Sequence, residues 1–118
     1  MIKVVWFLKR AEHLSLEEFR DWWLNRHAYD VAEWQKDYLL RYKVSVREMD
    51  TPEDSLAGKP AQEFEWDGMA EQWFASEESF NACYGRPNSP TRADTLAHTS
   101  RLSRIIVREK EFSILGKA

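Results

Sequence analysis

The sequence predicts an α+β fold of the ferredoxin-like kind, with element order β-α-β-β-α-β and a four-stranded antiparallel sheet carrying its helices on one face. Three features carry that expectation. Residues 16–34 make one long amphipathic stretch between two runs of strand character. Later segments alternate in polarity or run apolar over strand-like lengths, and Ser76 and Ser89 each open a segment with helix-start chemistry.

Residues 2–8, IKVVWFL, are apolar at nearly every position, which suits a strand covered on both faces. Residues 9–14 turn the chain toward the long helix, which Ser15 and Glu18 open as a capping box. At about 100° per residue, Leu16, Phe19, Trp23, His27, Val31 and Trp34 fall within an arc of roughly 120°. Glu17, Glu18, Arg20, Asp21, Asn25 and Arg26 take the opposite side. After a polar break at Gln35, Lys36 and Asp37, residues 38–49 alternate, with Leu40, Tyr42, Val44 and Val46 on one side and Arg41, Lys43, Ser45 and Arg47 on the other. Residues 50–63 are the one long irregular stretch, and Pro52, Gly58 and Pro60 among charges favour a solvated excursion over a lid. Residues 64–75 read as a strand with a kink or tight turn at Asp67-Gly68. Ser76 followed by Glu77 and Glu78 starts a short helix to about Tyr84. The run GRPNSP at 85–90 breaks it, and Ser89 before Pro90 starts another helix to roughly Leu102. Residues 105–114 close the chain as a last strand. No repeat, low-complexity tract or linker interrupts the 118 residues, which are read as one domain, 1–118.

His27 is the polar exception on the apolar arc. By spacing alone it reads as a neutral core imidazole bonded to a carbonyl. Its other reading is a side chain projecting between helix and sheet into a pocket, where burial holds its pKa at or below about 6.5 and makes it a usable base.

Composition removes several function classes. A net charge of -3, a pI near 5.6 and the lack of a Lys/Arg block argue against nucleic acid or an anionic membrane as partner. No stretch approaches the ~20 apolar residues of a membrane span. The apolar run at the start is too brief for a signal segment, so a cytoplasmic location is expected. Cys83 is the lone cysteine and reads as a packed thiol, without disulfide or thiolate metal cluster. His13, His27 and His98 lie far apart without ligand spacing, so no metal is expected, and four glycines supply no phosphate-cradling loop. With six Trp, six Phe and four Tyr, core and pocket walls should be aromatic. Several strands look apolar on both sides, so the sheet face away from the helices needs a cover. A second copy is the economical one, and a homodimer with sheets face to face is expected.

The opening MIKVVWFLKR, then LSLEEFRDWWLNRHA with its Phe19, Trp23, His27 row, then the Arg41-Tyr42 pair opening a strand, then DGMAEQWFASEESF, together resemble the EthD-like family of dimeric α/β-barrel proteins. The resemblance spans essentially the whole chain. It implies a ferredoxin-like monomer that dimerises through its sheet and works without metal or organic cofactor. Related members include polyketide cyclases, muconolactone isomerases, decarboxylases or dehydratases, and cofactor-free monooxygenases, acting on aromatic or lactone molecules between helices and sheet. It also carries over a pocket-facing role for His27. Where many relatives have a proline soon after that histidine, this chain has Ala28-Tyr29-Asp30, which continues the helix.

The expected pocket wall gathers Tyr42, Glu71, Trp73, Trp23 and His98 around His27, with Phe7, Tyr29 and Arg41 as further substrate contacts. Asp67, Met69, Glu71 and Trp73 share one strand face by alternation. If that face is the inner one, Glu71 is a buried carboxylate that orients an imidazole or holds a proton; if the outer, it is an ion-pair partner at a rim or dimer interface. Arg41 and Lys43 lie opposite Tyr42. The function expected is a cofactor-independent lyase of decarboxylase or dehydratase type, working by acid–base catalysis on a small aromatic, phenolic or lactone metabolite in aromatic-compound catabolism or polyketide-type tailoring. His27 serves as base or acid, Tyr42 as donor, and Trp23 and Trp73 as walls. An isomerase or cyclase, a cofactor-free monooxygenase and a non-enzymatic binding protein remain open.

Overall fold

The computed structural model describes residues 1–48 and 65–117. Its elements are β1 (Ile2–Arg10), α1 (Leu16–Trp22), a π-helical turn (Trp23–His27), α2 (Ala28–Gln35), β2 (Leu39–Val46), β3 (Gly68–Phe74), α3 (Glu77–Tyr84), α4 (Pro90–His98) and β4 (Thr99–Val107). All strand pairs are antiparallel in the order β2-β3-β1-β4, which is the ferredoxin-like arrangement that the element order predicts. No helix among the described residues is long and apolar enough to cross a membrane.

Register assigns the faces. Val4, Trp6 and Leu8 of β1 stand beside Gln72, Ala70 and Gly68 of β3 and beside Ile106, Arg104 and Leu102 of β4. This side carries the helices, through one cluster of Leu8, Phe19, Trp22, Trp23 and Ala70 and a second of Val4, Phe74, Phe80 and Cys83. Lys3, Val5 and Phe7 look the other way, beside Trp73, Glu71 and Met69. Both Val4 and Val5 are buried, so β1 is covered on its two faces, as its unbroken apolar run predicts.

The predicted long helix is continuous through α1, the π turn and α2. Its capping box is present: the Ser15 hydroxyl accepts from the Glu18 N–H at 3.0 Å, and the Glu18 carboxylate accepts from the Ser15 N–H at 2.9 Å. The π turn, which periodicity does not reveal, lets Trp22 and Trp23 both reach the core while keeping His27 on the buried side.

Several boundaries differ from expectation. α4 stops at His98 and β4 starts at Thr99, where an unbroken helix to Leu102 and a strand from residue 105 are expected. Pairing with β1 overrides local propensity here, and the Thr99 hydroxyl donates back to the Thr95 carbonyl at 2.8 Å, closing the helix end. Gly68 begins β3 rather than kinking it, and the expected strand start at residue 64 lies outside the described residues, as does the 50–63 stretch. In β2 the register steps between Leu39 and Arg41, so Leu40 is the extra residue of a bulge and is 60% exposed rather than aligned with Tyr42.

Candidate active site

Between helices and sheet lies a cavity of about 450 Å³, a volume suited to a small organic molecule. Trp6, Ala70 and Gln72 form its sheet side, Trp23, His27 and Val31 its long-helix side, and Thr91 and Thr95 border it from α4.

His27 is 4% exposed and is held at both ring nitrogens. Its Nδ1 lies 2.8 Å from Asp94 Oδ2, and since a carboxylate only accepts, Nδ1 carries the proton. In the neutral ring Nε2 is then a bare lone pair, 3.0 Å from the Thr95 hydroxyl. That hydroxyl has one hydrogen to share between Nε2 and the Thr91 carbonyl at 2.9 Å. Burial lowers the imidazole pKa from its ordinary value, and the Asp94 carboxylate pulls in the opposite direction. Trp22 stacks on His27 with centroids 4.5 Å apart and on His98 at 4.2 Å, and its indole N–H donates to both Asp94 oxygens at 3.2 Å. Asp94 thus accepts from Trp22 and His27 while its Oδ1 lies 3.2 Å from His98 Nδ1.

Two tyrosines border the cavity. Burial drives the Tyr42 pKa far above its ordinary value, opposed by the Trp23 indole N–H against its oxygen. Tyr84 is pushed up to about 12 by burial, and its hydroxyl donates to Gln72 Oε1 at 2.6 Å. The same oxygen accepts from the Trp6 indole N–H at 2.8 Å, and the Gln72 amide nitrogen donates to Gln35 Oε1 at 2.7 Å.

Among the expected site residues, His27, Tyr42 and Trp23 come together in this cavity. His98 reaches the cluster from outside, beside Trp22 and Asp94, and lines a separate surface recess. Glu71, Trp73, Phe7 and Arg41 do not join them, because they occupy the opposite sheet face. There Glu71 pairs with Lys3, and Trp73 lies under Lys3 and Arg41 with its indole N–H on Glu109. Phe7 packs on Trp66. Tyr29 points to solvent, 69% exposed. Sequence reasoning missed Asp94, Thr95 and Trp22; the i, i+4 pair of Asp94 and His98 on one helix was the one available signal. Cys83 is buried, as a packed thiol should be, and burial raises its pKa.

The fold recurs in solved structures. A protein of the EthD family from Bacillus halodurans shares 19% identity over 93% of this chain and 99% of that one, with a TM-score of 0.67. SnoaB, a cofactor-independent oxygenase from Streptomyces nogalater, shares 12% over 98% and 97%, TM-score 0.63. A hydroxynitrile lyase from Passiflora edulis shares 13% over 95% and 96%, TM-score 0.61. No curated protein matches the chain in sequence. The family model described as the EthD domain matches residues 11–95, and with the long helix, the histidine, β2 and β3 inside that span, the chain belongs to the EthD domain family.

Proposed function

We propose that the protein is a cofactor-independent enzyme of lyase type, which removes a proton from a small aromatic or phenolic molecule in the cavity with His27 as general base. The observation that carries this reading is the Asp94–His27 pair. A carboxylate on Nδ1 fixes the tautomer and leaves the Nε2 lone pair on the edge shared with cavity-lining Thr95. A substrate hydroxyl or C–H can take the place of Thr95 at Nε2 while Thr95 keeps its bond to the Thr91 carbonyl. Once protonated, the ring donates to Asp94 at one end and to Thr95 at the other, so the imidazolium is satisfied on both sides. Tyr42 stays protonated at neutral pH and is suited to donate to an oxyanion that develops on the substrate. Trp6 and Trp23 supply flat walls for an aromatic ring.

The hydroxynitrile lyase and the cofactor-independent oxygenase that share the fold support chemistry of this kind on such a scaffold. The oxygenase reading has the same requirement, a base that generates an electron-rich anion, and oxygen consumption separates the two. The test of the main reading is a turnover assay over phenolic acids, hydroxynitriles and lactones, paired with NMR titration of His27. The expected result is a binder that shifts the His27 resonances and is turned over, with kcat falling about 10²–10⁴-fold in His27→Ala. Turnover that survives His27→Ala would return His27 to a structural role, and a binder that is never turned over would favour a binding protein.

A further inference from the structure

We propose that the molecule taken by this cavity is an anion, an aromatic acid whose carboxylate lies at the β4 end against Arg104 and Arg92 while its ring extends toward His27. This rests on the reading of the cavity as the substrate site and adds the charge of its ligand.

The first ground is electrostatic. The chain has 20 acidic against 17 basic side chains, yet the cavity is bordered by Arg86, Arg92 and Arg104 and, among the described residues, by no Asp or Glu. Asp94 lies beside His27 but opens into the outer recess. Of the arginines, Arg86 is occupied structurally: it stacks on Trp34 at 4.0 Å and donates to the Trp34 carbonyl at 2.6 Å, tying the end of α2 to the segment after α3. Arg104 is different. It stands on the helix-facing side of β4 opposite Trp6, with its guanidinium over the Trp6 ring at 5.4 Å and the Phe80 ring at 5.1 Å. Arg92 gives one N–H to the Tyr84 carbonyl at 3.3 Å. Neither is ion-paired with a carboxylate of the described residues. A guanidinium is a five-donor fork whose geometry matches a carboxylate.

The second ground is the direction of the hydrogen bonds. An indole N–H can only donate, so Trp6 fixes Gln72 Oε1 as an acceptor, and the Gln72 amide nitrogen must then donate to Gln35 Oε1. Gln35, which borders the cavity, is left with amide hydrogens to give, one side of its amide facing the Tyr84 oxygen. Away from His27 and the α4 hydroxyls, the polar wall therefore offers donors. A ligand rich in acceptors satisfies it; a ligand rich in donors does not.

The third is arrangement. Arg104 stands over Trp6 and over Phe80 of the second core cluster, against which Tyr84 also packs, whereas His27 stacks on Trp22 of the first. An anion at one end and a reacting group at the other is what a molecule lying along the cavity would present.

The test compares 6-hydroxy-2-naphthoate with its neutral isostere 6-hydroxy-2-naphthamide by calorimetry on the intact protein. The acid should bind about tenfold or more tightly than the amide. That preference should fall to about twofold or less in the Arg92→Gln, Arg104→Gln double variant, with folding checked by circular dichroism. Arg101→Gln, a β4 residue that does not border the cavity and pairs with Glu65, should keep it. Equal or tighter binding of the amide, a preference that survives the double substitution, or no binding of the acid at millimolar concentration would overturn the proposal. Wild type and His27→Ala together separate it from the enzyme reading: wild-type turnover that is lost in His27→Ala with the acid preference intact supports both, wild-type turnover without charge preference leaves only the enzyme, and charge preference without wild-type turnover leaves only the anion site.

Discussion

At the residue scale, the chemistry turns on how His27 is held. Its folded pKa lies below the unperturbed ~6.5, so below about pH 6.5 the unfolded chain binds more protons than the folded one. The His27 contribution to stability is therefore complete above about pH 6.5 and is lost as pH falls toward the folded pKa. Thermal unfolding of wild type should show Tm falling between pH 7 and 5, and His27→Gln should flatten part of that slope. The same protonation removes the base, so kcat/KM should fall on the acid side over that window. Asp94→Asn makes the converse point. The carboxylate raises the imidazole pKa, so its loss should lower the His27 value in an NMR titration while kcat drops about 10²–10⁴-fold with KM nearly unchanged. An unchanged His27 titration in that variant would mean that the 2.8 Å contact does not govern the ring.

At the scale of elements, the fit between the long helix and the start of β3 is the tightest seam. A Cβ at Gly68 would stand 2.6 Å from the Ser45 carbonyl oxygen, 2.8 Å from Trp23 Cζ3 and 3.1 Å from Val46 Cα. Two of those neighbours are backbone, so Gly68→Ala should cost about 1–3 kcal/mol, read by urea unfolding. The π turn deserves a separate test because it sets the phase between the two tryptophans and the histidine. Deleting exposed Asn25 removes its extra residue and restores α-helical spacing, leaving His27 four residues after Trp22, about one turn on, and still above it. Helix content by circular dichroism and the lowered His27 titration should both persist; a titration that moves back toward its ordinary value would show that the π geometry itself, beyond the facing it preserves, holds the ring.

For the whole molecule, the helix-free face of the sheet is the surface on which we propose assembly. Val5 is buried there beside an ion-paired strip of Lys3, Glu71 and Glu109, while Phe7 lies on Trp66 and Ile105 is 47% exposed. An apolar sheet face of this kind is suited to a second copy. We expect sedimentation to report a homodimer at micromolar concentration, and Phe7→Glu, which puts a charge on that face, to shift it to monomer. A monomeric wild type would leave the face to another cover.

Element order, the capping box and the alternation along β2 from Arg41 and along β3 follow from the sequence alone, since periodicity and caps are set by residues within a few positions of one another. Periodicity also singled out His27, Trp23 and Tyr42. It could not say which face of β3 looks inward: buried Gln72 and outward Trp73 reverse the usual polarity signal, so Glu71 and Trp73 were grouped with the pocket although they stand across the sheet. Nor could it find Asp94, which lies 67 residues from His27 and meets it through the packing of α4 on the π turn. The end of α4 was decided by the pairing of β4 with β1, contacts spanning about ninety residues of chain, roughly that between Arg10 and Ser100, that outweigh local helix preference. Only tertiary structure brings such residues together, because the free energy that places them comes from burial and pairing across the sheet.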